Sequence, residues 1–598
     1  MHHSMTTDTA AYGEAATRRA LFLALALSAL VFSWAHGQAF RSPFVINDDA
    51  RQQVAWMQGW HDPALYPDDL LTDFARHYVS YGVRGLYAVA TTVVEPLVFS
   101  KILTGALYIA LAGLVFCIGN RLAGWPGAWG MLCMYWIIPF FLHNISGGLA
   151  RAFAGPLLAL LCLGWMSGRA WMMAIALALQ ALCIPYMFVL CGLAVGLAWL
   201  AGVAARWGGL SAVVFPSRRW HWALLVAGAA LVWQFNHSLD VAGYGPLVHR
   251  ADMIDRPEFT AQGRLHIMPV PSILGEAILG PVERLLPTAE LGAAGGAVVT
   301  VLLGVALAWG GMSAPWRRLR PHLRLLGSVL LASLLLYGVA RLLLMQLFVP
   351  TRYLEYSVAL GHCLVLGVCL APWLSRRRLA PVLIGCFALA GAARLEGQGL
   401  YDYSRDTALY AAVEGLPKDV MVAGHPFLMD NVLTFGKRKV LVAFELAHPW
   451  CVGLWDRLEP RLDAFFAAYY ASDAETVRAF AQRFDVDWMV VDTRHYEADF
   501  MRWPVHQVPV CQAGRFGPLQ GLCEAVTNAT TPVRDPLPDV YPVAPPFFAP
   551  YDARIRTQAA RAGRFALLDE TRFPGIRVDE HIRLVPLHRG EAASVRAF

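Results

Sequence analysis

The chain has 598 residues, 57% of them hydrophobic and only 15% charged, against about 25% charged in an ordinary soluble domain. With a mean hydropathy of +0.46, this composition excludes a single soluble globule and predicts a polytopic α-helical membrane protein. The net charge of +6 comes without a concentrated basic tail, which argues against nucleic-acid binding.

In chain order, apolar runs of spanning length fall at about 20–36, 102–120, 124–143, 152–167, 170–185, 186–204, 220–236, 292–311, 325–348, 356–374 and 380–394. The pattern predicts about eleven transmembrane helices within 20–394. The first run follows Arg18 and Arg19 and lacks a small-residue cleavage site, so it reads as a retained span. Residues 83–97 offer a further segment that dips into the membrane. Alternate loops carry Arg18/Arg19, Arg121, Arg169, Arg206/Arg218/Arg219, Arg317/Arg318/Arg320/Arg324 and Arg376/Arg377/Arg378. Short cytoplasmic loops concentrate such residues, which places 1–19 in the cytoplasm of a cell with a plasma (inner) membrane. The first loop 37–101, the loop 237–291 and everything after 395 then lie on the outer, periplasmic side.

From 395 to 598 charged residues become frequent. VMVAGHP, KVLVAFEL and DWMVVD read as strands, and 405–414 and 474–484 as helices, predicting a soluble α/β-type domain. The stretch 528–555 is Pro-rich and reads as extended. Cys511 and Cys523 are either a disulfide or two free thiols. The cysteines at 117, 133, 162, 183, 191, 363, 369 and 386 stand singly in apolar segments, with no zinc-type spacing.

The first loop holds FVINDDARQQVAWMQGWHDPALYPDDLLTDF. Asp48 and Asp49 open an amphipathic helix carrying Val54, Met57 and Trp60. One reading is a helix cap; the other is a general base or metal ligand at the membrane surface. Asp62, Asp68, Asp69 and Asp73 have turn-forming neighbours and read as structural. In HNISGGLARAFAGP, His143, Asn144 and Arg151 occupy a short outer turn. There the glycines either admit an anion to backbone N–H groups or only tighten the turn. In LFVPTRYLEYS, Arg352 suits phosphate oxygens, with Tyr353 and Tyr356 as interfacial aromatics; the alternative is an aromatic belt with an Arg352–Glu355 pair. Arg341 lies within an apolar run, where a charge points to a cavity or a partner, and Glu95 is a candidate second acid. The loop 237–291 carries mixed charges, among them His249, Arg264 and His266, and reads as a solvated surface or an active-site cover. In the last region His425, Asp430, Lys437, Arg438, Glu445 and His448 suggest acceptor binding or packing. No GxSxG, P-loop or GxGxxG is present.

A first outer loop with a diacidic motif, about eleven spans and a soluble C-terminal domain together resemble the GT-C superfamily of integral membrane glycosyltransferases. That superfamily includes protein O-mannosyltransferases, lipid A aminoarabinose transferases and oligosaccharyltransferase catalytic subunits. The likeness covers nearly the whole layout but only Asp48 and Asp49 in motif. It implies transfer of a sugar from a polyprenyl-(di)phosphate carrier to a glycan, lipid or protein acceptor on the outer face. The catalytic acid falls on Asp48 or Asp49, and Arg151, Arg341 and Arg352 on the donor phosphate. His143, Asn144, Tyr353 and Glu95 are the substrate-binding candidates. Some relatives hold a divalent cation, Mg or Mn, with such residues, here Asp48 and Asp49. The chain lacks a second acidic motif and a WWDYG-like signature, so the resemblance does not extend to N-glycosylation or to an obligatory metal. A lipid-linked glycan transporter and a non-catalytic scaffold of envelope glycan assembly are the alternatives.

Overall fold

Runs rich in Leu, Ala, Val and Gly lose little free energy as helices in an apolar medium, because each helix satisfies its own backbone hydrogen bonds. The computed structural model describes residues 2–207, 219–254, 256–259, 264, 288–313, 316, 322–497 and 564–588. In it every one of the eleven apolar runs is helical. Five helices are long and apolar enough to cross a membrane: Thr17–Ala35, Pro96–Ile137, Pro185–Gly202, Leu323–Leu342 and Arg352–Leu374. Length and composition thus give five spanning helices among the described residues, not eleven. Part of the difference lies in Pro96–Ile137, which joins the runs at 102–120 and 124–143. Its backbone leaves helical geometry at Ala123 and Gly124, just before Pro126, which matches the preference for kinks at Pro and Gly. Four shorter apolar helices, Ala150–Met166, Ala170–Cys183, Val301–Ser313 and Ala380–Leu395, hold further runs, and the run 220–236 lies in the helix Arg219–Val241.

Residues 83–97 do not form one continuous dipping segment. They hold the end of a ten-residue helix, Tyr81–Ala90, a turn with Val93 exposed, and the start of Pro96–Ile137. The first loop begins with strand β1 (Val45–Ile46), which pairs antiparallel with β2 (Tyr401–Asp402), Val45 opposite Asp402. The chain beyond the last apolar helix is therefore stitched directly to the segment before Asp48.

The C-terminal region forms a five-stranded sheet from β3 (Met421–Ala423), β4 (Lys439–Val440), β5 (Trp488–Asp492), β6 (Ile576–Arg577) and β7 (Ile582–Pro586), in the order β4-β3-β5-β7-β6. β4, β3 and β5 are parallel, while β7 runs antiparallel to β5 and β6. The helix Pro426–Phe435 crosses from β3 to β4 with Pro in its first turn, where the missing N–H costs nothing. Asp473 caps Ala474–Phe484 by accepting the Thr476 N–H at 2.8 Å. Of the expected strand KVLVAFEL only Lys439–Val440 pairs in the sheet; the rest turns toward the first loop. One apolar core runs through both parts, joining Ile46, Met57, Phe74 and Tyr87 to Val422, Leu433, Leu454 and Val490. The Pro-rich stretch, Cys511, Cys523 and His266 lie outside the described residues.

Candidate functional site

Asn47, Asp48 and Asp49 form a turn ahead of the short helix Ala50–Gln53. The Asp49 N–H donates to Asn47 Oδ1 at 3.2 Å and to Asp48 Oδ1 at 3.0 Å. Asp49 stands at the cap position but its carboxylate makes no capping hydrogen bond. Instead Arg151 Nη1 donates to Asp49 Oδ2, and Arg151 Nη2 donates to Asn47 Oδ1 at 3.1 Å. The helix-cap reading of Asp49 is thus replaced by a charge-assisted pair across two segments.

Glycine chemistry makes that approach possible. Gly147 has φ +88°, and a Cβ there would lie 2.8 Å from the Asn47 Cβ. The glycine pair before Arg151 therefore lets its turn nest under Asn47, and the Gly399 carbonyl fastens both sides by accepting from Asn47 Nδ2 at 2.7 Å and Ser146 Oγ at 2.8 Å.

Arg352, in the first turn of Arg352–Leu374, reaches the same place. Its Nη1 donates to Asn144 Oδ1 at 3.2 Å and Glu355 Oε2 at 3.1 Å, and lies 3.5 Å from the Tyr356 hydroxyl. Tyr356 in turn donates to Asn144 Oδ1 at 3.3 Å, and Tyr186 to Tyr356 at 3.3 Å. Asp49, Arg151 and Arg352 keep 22%, 17% and 26% of their side-chain surface accessible, so the cluster is recessed but reachable.

The two carboxyls are pushed apart. Burial and the charge of Asp49 raise Asp48, with Arg51 and Arg151 opposing. For Asp49 burial also acts upward, but Arg151 and then Arg352 outweigh it and hold the carboxyl below its ordinary value. Neighbouring acids driven in opposite directions are the usual signature of divided acid–base roles.

Behind Asp48 lies a second buried cluster. Arg51 donates from Nε to the Asp48 carbonyl at 3.2 Å and from Nη1 to Asn431 Oδ1 at 2.9 Å. It lies 3.5 Å from Glu445 and 3.9 Å from Asp430, over the Tyr403 ring at 4.4 Å. Arg264 meets Glu445 at 3.1 Å and stacks on Phe444 at 3.9 Å. Burial, with Asp430 adding to it against Arg264 and Arg51, pushes Glu445 up to about 8, and burial lifts Asp430 to about 6. Burial also keeps His448 neutral, stacked on Trp450 at 4.3 Å.

The remaining candidates divide. Asn144 is in the cluster, whereas the adjacent His143 side chain is exposed, about 100° round the helix. Tyr353 is buried with its hydroxyl donated to the Leu347 carbonyl at 2.7 Å; Tyr356 is the tyrosine that faces Arg352. Arg341 sits in the last turn of Leu323–Leu342, its Nε 3.4 Å from the Tyr337 hydroxyl. Glu95 is exposed at the start of Pro96–Ile137, where its charge bears on Lys101. Among the other acids Asp69 caps Leu70–Tyr78, accepting the Thr72 N–H at 2.9 Å, and Asp73 accepts from Tyr244 at 2.5 Å. Arg438 and Lys437 bind locally around Glu414, and His425 lies buried beside His495. Sequence reading passed over Asn47, Arg51, Tyr186, Tyr403 and Asn431. Of these only Arg51, one helical turn past Asp48, carried a local signal.

Among the described residues no three His, Cys, Asp or Glu side chains come together as cation ligands, and Asp49 gives its carboxylate to Arg151. Asp48 and Asp49 thus stand without a third such ligand among the described residues.

No protein-family profile and no curated protein matches the chain. Among solved structures it is similar to the Archaeoglobus fulgidus oligosaccharyltransferase in complex with Zn and sulfate, at 12% identity and a TM-score of 0.46 over 80% of this chain and 69% of that one. The apo form of that enzyme gives 12% and 0.47 over 80% and 70%. The archaeal oligosaccharyltransferase AglB of the same organism, in complex with an inhibitory peptide and a dolichol-phosphate, gives 12% and 0.46 over 80% and 70%. At that identity and score the likeness assigns no activity to this chain.

Proposed function

We propose that the chain is a GT-C-type membrane glycosyltransferase that moves a sugar from a polyprenyl-(di)phosphate carrier to an acceptor at the outer face of the membrane. The observation that carries this reading is the meeting of Asp49, Arg151, Asn144 and Arg352, drawn from three separate segments, in one recessed cluster.

Asp48 is the general base: its carboxyl is raised while that of Asp49 is lowered, so Asp48 is the more basic of the two toward the acceptor hydroxyl proton. Asp49 stays ionised and orients Arg151. Arg151 and Arg352 carry the phosphate: as the bond from the sugar to the carrier oxygen breaks, their guanidinium groups stabilise the charge gathering there. Tyr356 and Asn144 hold Arg352 in place. The acceptor oxygen attacks the opposite side of the sugar carbon, so the product is inverted.

The test uses membranes containing the full chain, supplied with polyprenyl-phosphate and polyprenyl-diphosphate sugars and assayed for a transferred sugar. Asp48→Asn is expected to abolish transfer while protein level and fold survive. Uptake of lipid-linked glycan into vesicles without any covalent product would instead support a transporter.

A further inference from the structure

At the end of the helix bundle away from Asp49, the structure holds a cavity lined by apolar residues and two arginines. Arg121 lies some 20 residues along Pro96–Ile137 from Ser100, which sits under the Gly147–Gly148 turn; at helical rise that is roughly 30 Å, one hydrocarbon thickness. Arg169 lies just past the end of Ala154–Met166, whose beginning adjoins Arg151. Arg121, on the helix just before its break at Ala123–Gly124, and Arg169, in the turn before Ala170–Cys183, therefore line one cavity at the end of the bundle away from Asp49.

Between them is a cavity of about 400 Å³ with Asn120, Arg121, Ser167 and Arg169 at its polar side and Leu163 and Met172 among its apolar residues. This volume lies within the roughly 300–1,000 Å³ of small-molecule sites. No carboxylate lines it. Arg121 Nη1 leans toward the Met166 carbonyl at 3.5 Å, and both arginine side chains are exposed. Trp125 and Trp171, four and two residues past Arg121 and Arg169 in sequence, are exposed by 46% and 57%, and exposed Trp marks the level of lipid headgroups.

We propose that this cavity binds the phosphate-bearing headgroup of an acidic phospholipid in the leaflet opposite the Asp49 site. Two forked guanidinium groups with Asn and Ser donors match phosphate oxygens, while the apolar residues receive the glycerol end of the acyl chains. Basic pockets between transmembrane helices are the usual receptors for such lipids. A zwitterionic headgroup carries the same phosphate but adds a cation that two uncompensated arginines repel.

The experiment is native mass spectrometry of the full chain in detergent, titrated with phosphatidylglycerol, with phosphatidylcholine of the same chains, and separately with inorganic phosphate. The expected result is one tightly held phosphatidylglycerol, favoured over phosphatidylcholine by roughly tenfold or more. Arg121→Gln with Arg169→Gln is expected to lose that preference, while Arg376→Gln with Arg377→Gln keeps it. Arg169→Gln alone, which leaves the Arg121 contact to Met166 intact, guards against a folding defect and is expected to lose part of it. Equal binding of the two lipids, retention by the double variant, or binding of inorganic phosphate but not of lipid would each overturn the proposal. None of these outcomes depends on sugar transfer.

Discussion

Replacing Arg51 by Met removes the cation on which the first loop and the C-terminal region converge. Arg51 is 8% exposed and neutralises two buried carboxyls, Glu445 at 3.5 Å and Asp430 at 3.9 Å, while bonding Asn431 and the Asp48 carbonyl. Breaking a buried pair by removing one partner costs about 3–5 kcal/mol, because the other charge is left uncompensated. Arg264 still faces Glu445, and Glu445 already tends to hold a proton, so the lower end of that range is expected. At about 2–4 °C per kcal/mol for a region of this size, Tm falls by roughly 6 °C or more. Adding Glu445→Gln to Arg51→Met removes the carboxyl that Arg51 faces at 3.5 Å, and because the two residues are in contact the double variant is expected to lose less than the sum of the two single variants. The assay is thermal unfolding of the detergent-purified chain with limited proteolysis of the C-terminal region. An Arg51→Met protein with wild-type Tm and protease resistance would refute the reasoning.

Three more outcomes follow from the site. Glu445, with its folded value raised to about 8 from an ordinary 4.5, holds more protons folded than unfolded across that interval. Stability therefore falls as pH rises from about 4.5 to about 8, and Glu445→Gln flattens the slope; a Tm that climbs over this window contradicts it. Tyr356→Phe removes the hydroxyl next to Arg352 and Asn144, costing about 1 kcal/mol or roughly fivefold in carrier-phosphate affinity, whereas Tyr353→Phe leaves that affinity unchanged; equal effects in a lipid-phosphate binding assay would undo the assignment. Gly147→Ala forces a Cβ into the left-handed region and against Asn47, costing about 1–3 kcal/mol and loosening the Asp49–Arg151 pair, read as a drop in both Tm and transfer.

Features set by local chemistry were legible in the sequence. The helical runs and the strand WMVVD need only neighbouring residues, and they appear at the expected places. Asp48, Asp49, Arg151 and Arg352 were legible as residue types suited to phosphate and proton chemistry. Their arrangement was not, because the Asp49–Arg151 contact spans 102 residues and Arg51–Asn431 spans 380. KVLVAFEL reads as a strand by its apolar content, yet Glu445 is drawn to Arg51 and Arg264, and the segment leaves the sheet after Val440. Tyr353 and Tyr356 look alike in sequence; three residues of helical rotation and the position of the Leu347 carbonyl decide which one meets Arg352.

The most direct test of the account is sugar transfer by the Asp48→Asn, Asp49→Asn double variant in membranes supplied with a polyprenyl-linked donor. The account predicts normal expression and Arg-dependent carrier binding with transfer reduced at least about a hundredfold, the lower bound for losing a general base. Full transfer by the double variant would contradict it.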